Sequence, residues 1–296
     1  MMTTIGFIGL GHMGHPMVRN LLKAGYKVYV YDVMPSAVQA AVSDGAIASS
    51  LEALPENTDV IISSVQTGQQ VSEICLSEMG IFSPHFSGKL FIDCSSIDIV
   101  TTRALHEEAR KRDIAMLDAP VSGGVAGANA GTLTFMVGSS DADFERARPI
   151  FEKMGKKIIH AGDAGSGQAA KICNNLALAI SMVGVCEAFS LAKKLGLDQK
   201  KFFEISSNSS GQCWSMTSYC PVPNIIENVP SNNDYKPGFM AKMMLKDLRL
   251  AHHAAEIVNS PIPLGAAVTE LYELFVNQGG GEIDFSGIIR FLAKDH

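Results

Sequence analysis

The sequence predicts an α/β domain built on a largely parallel sheet, followed by an all-helical domain. Three observations predict it. In the first half, short β-branched apolar runs alternate with amphipathic helical stretches. In the second half, helical periodicity continues with no convincing strand and no internal repeat. Between them lies a glycine cluster, Gly162, Gly165 and Gly167.

In chain order, strands are expected at residues 5–8, 27–31, 59–62, 90–92, 115–117, 133–137 and 157–160. Amphipathic stretches at 12–24, 69–79, 98–111 and 141–154 separate them. After the glycines, one helical pattern runs from 168 to 194 without a proline. Further helices follow, with proline-rich turns at 221–223 and 261–263. A chain of 296 residues is long for one hydrophobic core. The boundary is placed near Asp163, giving domains of residues 1–163 and 164–296.

The composition, 47% hydrophobic, 18% charged and 7% aromatic, is that of an ordered globular chain. A net charge of -6 argues against nucleic-acid backbone binding, which needs a basic face. The apolar run 176–192 is broken by Glu187 and followed by Lys193 and Lys194, so a packed helix rather than a membrane span is expected. None of the six cysteines forms a CxxC pair, and no targeting pattern precedes the first strand. Reduced thiols and a cytoplasmic location are the expectation. The apolar face around Ile180, Val183, Val185 and Phe189 points to burial by a partner copy as well as in the core, hence to a homodimer or homotetramer.

The first strand runs straight into Gly9-Leu10-Gly11-His12-Met13-Gly14 and then a helix. In that context GxGxxG reads as a dinucleotide loop and makes the first domain Rossmann-type. Gly9 gives the tight turn, Gly11 lets the backbone approach a pyrophosphate, and Gly14 allows close helix packing. The helix N-terminus then faces the phosphates. Asp32 ends the second strand eighteen residues after Gly14, where a carboxylate would accept the adenosine ribose hydroxyls. Its charge repels a 2′-phosphate, and Val33-Met34-Pro35-Ser36 offers no arginine to hold one, so NAD is expected rather than NADP.

Four blocks then resemble the β-hydroxyacid dehydrogenase family from end to end. They are the glycine loop, Asp118-Ala119-Pro120-Val121-Ser122-Gly123-Gly124, Gly167-Gln168-Ala169-Ala170-Lys171 with Asn175, and Lys246-Asp247-Leu248. Residues 209–215, Pro221-Val222-Pro223 and Asn233-Asp234-Tyr235 resemble the branch of that family acting on 3-hydroxyisobutyrate. The resemblance implies NAD-dependent oxidation of a small hydroxy acid, with methylmalonate semialdehyde as product and valine catabolism as setting. It implies Lys171 as catalytic residue and Asn175 as substrate-binding. Ser122, Gly123 and Gly124 take the substrate carboxylate. Val65, Gln66, Gln70 and Ser96 line the nicotinamide half, and Lys246 lies near the cofactor. Gln66 departs from a usual proline, Gln70 from an asparagine and Ser96 from a threonine, which weakens those cofactor-wall assignments.

Alcohol oxidation needs a proton acceptor, and no metal-ligand pattern offers an alternative. There is no HExxH, and His252 and His253 point to different sides of a helix. Lys171 and Asn175 lie one helical turn apart and are expected to face one cleft. Trp214 and Phe239 are candidates for the apolar wall of a pocket, or simply core. Three rival readings stay open: a tartronate-semialdehyde or glyoxylate reductase, a 6-phosphogluconate dehydrogenase, and a non-catalytic NAD-binding member. Against them stand Asp32, the chain length and the presence of Lys171, respectively.

Overall fold

The computed structural model describes residues 3–293, which divide into two compact units meeting at Lys171 and Ile172. The first unit is built on one sheet. Its strands are β1 Thr4–Ile8, β2 Lys27–Tyr31, β3 Ile47–Ala48, β4 Val60–Ser63, β5 Leu90–Asp93, β6 Ala115–Asp118, β7 Val121–Ser122, β8 Leu133–Gly138 and β9 Gly155–Gly162. They lie in the order β3-β2-β1-β4-β5-β6-β8-β7, with β9 beside β8. Strands β1 to β6 pair in parallel, and β8 runs antiparallel to β6 and β7. The seven expected strands are all present. The two additional ones, β3 and β7, have two residues each, too few to show a period.

Both faces of the sheet are covered, which is why its strands read as continuous apolar runs. Val60, Ile62, Leu90 and Ile92 pack on one side with Phe7, Met17 and Leu21. The alternate residues Ile61, Phe91 and Met116 pack on the other with Ile8, Phe86 and Leu105. Each such burial stabilises the fold by about 1.5–3 kcal/mol.

The connecting helices are α1 Gly14–Lys23, α2 Pro35–Ser43, α3 Leu54–Asn57, α4 Gly68–Leu76, α5 Ile99–Lys111, α6 Gly124–Ala130 and α7 Asp141–Met154. Side-chain caps set the starts of α4, α5 and α7: Thr67 accepts from the Gln70 N–H, Asp98 from the Thr101 N–H and Ser140 from the Asp143 N–H. The sheet order reverses direction beside β1, between β1 and β4. In open α/β sheets this is where ligands bind, beyond the carboxyl ends of the strands.

Helix α8, Ser166–Lys194, is long and apolar enough to cross a membrane by length and composition alone. Its buried positions nevertheless repeat every three or four residues. Ala179, Met182, Val183, Cys186 and Phe189 enter the core of the second unit with Met244, Leu248, Tyr272 and Phe285. That unit continues with α9 Gln199–Ser207, α10 Trp214–Thr217, α11 Ala241–Ile257, α12 Pro263–Asn277 and α13 Ile288–Leu292.

Val183, Val185 and Phe189 are core residues and Ile180 packs against them, as the core part of the expectation for this face requires. The first turn and a half of α8 is hydrogen-bonded into the sheet unit through Asp118 and Gln168, so the compact units meet at Lys171 and Ile172, within this helix.

Candidate active site

The first-unit candidates gather at the carboxyl ends of the parallel strands. Gly9 follows β1 with φ 91°, and a side chain there would place its Cβ 2.3 Å from the Ser64 carbonyl. Gly14 opens α1 pressed against the same turn, where a Cβ would sit 1.9 Å from the Gly9 oxygen. Gly11, by contrast, faces open space: a Cβ added there meets nothing within 4 Å. The loop is therefore tight on its protein side and open on the other, a cradle that fits a pyrophosphate. Leu10 is buried, Met13 half-buried and His12 exposed.

Asp32 sits just beyond β2 and joins this loop. Its Oδ2 accepts the Leu10 N–H at 2.6 Å and its Oδ1 accepts the Met34 N–H at 2.8 Å. The carboxylate thus organises the glycine loop and carries negative charge beside it.

Val65 and Gln66 follow β4, and Ser96 follows β5. The two turns are tied together, since the Val65 N–H donates to Ser95 Oγ at 3.0 Å. Gln70 has a structural task that the sequence did not disclose. Its amide oxygen accepts the Gln66 and Thr67 N–H groups, while its own N–H donates to Thr67 Oγ1, closing a capping box on α4. This capping role stands beside the cofactor contact that the resemblance implies for Gln70.

Ser122 ends β7, and Gly123 and Gly124 both have positive φ, 129° and 61°, as the chain turns into α6. Lys171 lies in the second turn of α8, which carries Asn175 one turn later.

The second-unit candidates fall into two groups. Asn175 is buried and donates to Asp247 Oδ2 at 2.5 Å. Asp247 Oδ1 lies 3.3 Å from Lys246 Nζ, an ion pair without hydrogen-bond alignment. Trp214 and Phe239 belong instead to one aromatic run. Trp214 stacks on Tyr219 at 4.9 Å, Tyr219 on Phe285 at 5.3 Å, and Phe285 meets Phe239 edge-on at 5.7 Å. Asp284 pins this run, accepting from the Tyr219 hydroxyl and the Phe239 N–H. Burial, then the Asp284 charge, raise the Tyr219 phenol well above its ordinary value, so it stays protonated.

Sequence reasoning missed Asp247, Tyr219, Asp284 and the buried pair Asp93 and Asp118. Asp247 and Asp118 lie inside the quoted motif blocks, and for Asp118 the available signal was an acidic residue among the apolar neighbours Met116, Leu117, Ala119 and Pro120. Burial foremost, and the Asp118 charge in addition, hold the Asp93 carboxyl above its usual value, against hydrogen bonds from Ser95 and Ser63.

Comparison with known proteins agrees with this architecture. Residues 4–162 match the family described as the NAD binding domain of 6-phosphogluconate dehydrogenase. Residues 165–292 match the one described as NAD-binding of NADP-dependent 3-hydroxyisobutyrate dehydrogenase. An NAD-dependent L-serine dehydrogenase of Pseudomonas aeruginosa is 48% identical over 286 residues, 96% of each chain. Mitochondrial 3-hydroxyisobutyrate dehydrogenase of Bos taurus is 42% identical, covering 99% of this chain and 88% of that one. A solved structure of Mycobacterium tuberculosis 3-hydroxyisobutyrate dehydrogenase with L-serine superimposes with a TM-score of 0.94 at 42% identity, covering 99% and 100% of the two chains. Fold and relatives together define an NAD-binding hydroxyacid dehydrogenase. The chain belongs to the 3-hydroxyisobutyrate dehydrogenase family.

Proposed function

We infer that this enzyme uses NAD to oxidise the primary alcohol of 3-hydroxyisobutyrate, giving methylmalonate semialdehyde in valine catabolism. The observation that carries the choice of substrate is the aromatic run from Trp214 to Phe239. Its Tyr219 hydroxyl is already bonded to Asp284, so the run presents mostly ring surface, which supports a methyl substituent on the substrate.

Bound NAD supplies the acceptor for the two electrons and hydrogen removed from the alcohol carbon. The protein supplies the rest. The amides and hydroxyl of Ser122, Gly123 and Gly124 hold the substrate carboxylate. Lys171 takes the hydroxyl proton during oxidation and returns it in reduction. For that it must lose its own proton near neutral pH, which requires burial or a neighbouring cation. Asn175, held by Asp247, orients the hydroxyl. Lys246 shields the Asp247 charge. Gly9 to Gly14 and Asp32 seat the nucleotide, while Val65, Gln66 and Ser96 wall its far end.

A second reading, L-serine as substrate, is favoured by the 48% identity to a relative named for that activity. Initial rates with NAD and NADP on 3-hydroxyisobutyrate, 3-hydroxypropionate, L-serine and D-glycerate separate the readings. A lost methyl contact costs roughly 10–200-fold, so 3-hydroxypropionate should follow 3-hydroxyisobutyrate by that margin. L-serine as the best substrate by kcat/KM would install the second reading, and D-glycerate the reductase one.

The proposal extends to a reducing, cytoplasmic setting, supported by free cysteines of which Cys75, Cys94, Cys186 and Cys220 are buried. It also includes self-association, supported by Leu191 and Leu195, which are 60% and 76% exposed on α8 and just beyond it.

A further inference from the structure

Gln168 takes no part in the chemistry above, yet it is completely buried and both ends of its side-chain amide are bonded. Oε1 accepts the Ile97 N–H at 3.2 Å, and Nε2 donates to the Ser95 carbonyl at 2.7 Å. These two backbone groups flank Ser96, so one amide staples the turn on either side of it. The backbone of Gln168 is anchored as firmly. Its N–H donates to Asp118 Oδ2 at 2.9 Å, and the Gly165 N–H donates to Oδ1 at 2.8 Å.

Asp118, at the end of β6, therefore caps α8 from the sheet in place of a local side chain. The fit is close. A Cβ on Gly167 would lie 2.4 Å from the Asp118 and Met136 carbonyl oxygens. Lys171 lies three residues beyond Gln168, the neighbouring position on the same helix face.

We propose that Gln168 is a positioning residue for the dehydrogenase reaction. It locks the Ser95–Ser96–Ile97 turn to the helical turn bearing Lys171, so that the nicotinamide wall and the base keep one register. This rests on the reading of Ser96 as a cofactor contact and Lys171 as the base. An amide is the group the position requires, because one end must accept and the other must donate. Leucine fills a similar volume and leaves the Ile97 N–H and Ser95 carbonyl without partners. Glutamate accepts from Ile97 as before, but can face the Ser95 carbonyl only when protonated. The surrounding charges are Asp118 on β6, Asp93 on β5, whose Oδ1 takes the Ser95 N–H, and His106 on α5, 2.9 Å from Asp118 Oδ1. Gln168→Glu thus turns a permanent staple into a pH-dependent one.

The test compares wild type, Gln168→Leu, Gln168→Glu and Lys171→Ala. Hydrogen exchange over residues 93–99 is followed in the cofactor-free protein, together with NADH binding by fluorescence and kcat and KM across pH. Gln168→Leu should exchange faster over that segment. A misplacement of about 1 Å costs on the order of 100-fold, so its kcat should fall roughly 10–100-fold, with KM and NADH affinity moving about threefold or less. For Gln168→Glu, the ratio of its kcat to that of wild type should be highest at acid pH and fall as pH rises. A Gln168→Leu enzyme with wild-type kcat, beside an inactive Lys171→Ala, overturns the positioning role alone. A Gln168→Glu ratio flat with pH overturns it too, and decides the matter if the leucine variant does not fold. Wild-type turnover by Lys171→Ala overturns the base assignment beneath the proposal, and the proposal with it.

Discussion

Replacing Asp32 by serine tests how the nucleotide site is built. The carboxylate holds the glycine loop through the Leu10 N–H at 2.6 Å, and its charge beside that loop would repel a 2′-phosphate. A hydrogen bond to a charged partner contributes about 1.5–3 kcal/mol. The serine hydroxyl is uncharged and one carbon shorter, so most of that contribution is lost. At 1.4 kcal/mol per decade, NADH binding should weaken about 10–100-fold. NADPH loses the same loop support but gains from removal of the like charge, a juxtaposition that costs several kcal/mol, so its affinity should hold up better than that of NADH. Val33 is 78% exposed, so an arginine there has room to meet the phosphate. Wild type should thus prefer NADH by roughly tenfold or more, Asp32→Ser should approach parity, and Asp32→Ser with Val33→Arg should prefer NADPH. Fluorescence titration with both nucleotides, alongside kcat/KM for NAD and NADP, measures each step. Equal wild-type affinity for NADH and NADPH would refute the electrostatic reasoning. An unchanged NADH affinity in Asp32→Ser would refute the loop-holding role.

Two further perturbations probe the frame around this site. Gly14→Ala places a methyl group 1.9 Å from the Gly9 oxygen, so α1 must move away from the loop. Overpacking of this kind should cost about 1–3 kcal/mol in chemical denaturation and weaken NADH binding as well. Asp93→Asn should change the pH dependence of stability. The folded-state value of Asp93 lies above its usual 3.8, so ionising it opposes folding. That penalty is absent below 3.8 and grows as pH rises through the elevated value. Melting temperatures measured from pH 3.5 upward should therefore show the variant gaining on wild type as pH rises above 3.8, and levelling off once Asp93 is ionised in the folded state as well. A constant offset between the two curves would count against a raised Asp93.

Much of this was legible in the sequence because it is local. The strands of the first unit are buried on both faces and so read as unbroken apolar runs. The glycine loop announces itself by its position between β1 and α1, and α8 by its length. What was not legible depends on partners far along the chain. Asp247 lies 72 residues from Asn175, and Asp118 lies 47 and 50 residues from the N–H groups it caps. The face of α8 at Val183 and Phe189 was visibly apolar, but a pattern does not say which side chains meet it; Phe189 meets Phe202 of α9 edge-on at 4.9 Å, within the core of the second unit. Gln70 illustrates a further limit, since its amide oxygen also serves a helix cap that the resemblance did not disclose. Helix α6 was invisible because Gly124–Ala130 is glycine- and alanine-rich and reads as a turn.

The central claim is that a dehydrogenase reaction runs on this scaffold with Lys171 as its acid/base group. Steady-state turnover of Lys171→Ala with NAD and 3-hydroxyisobutyrate, in protein shown to melt and bind NADH like wild type, tests it most directly. General acid/base groups contribute about 10²–10⁴-fold, so kcat should fall by at least that factor, and Lys171→Arg should recover little because arginine does not give up its proton. Turnover within a few-fold of wild type in the alanine variant would contradict the account.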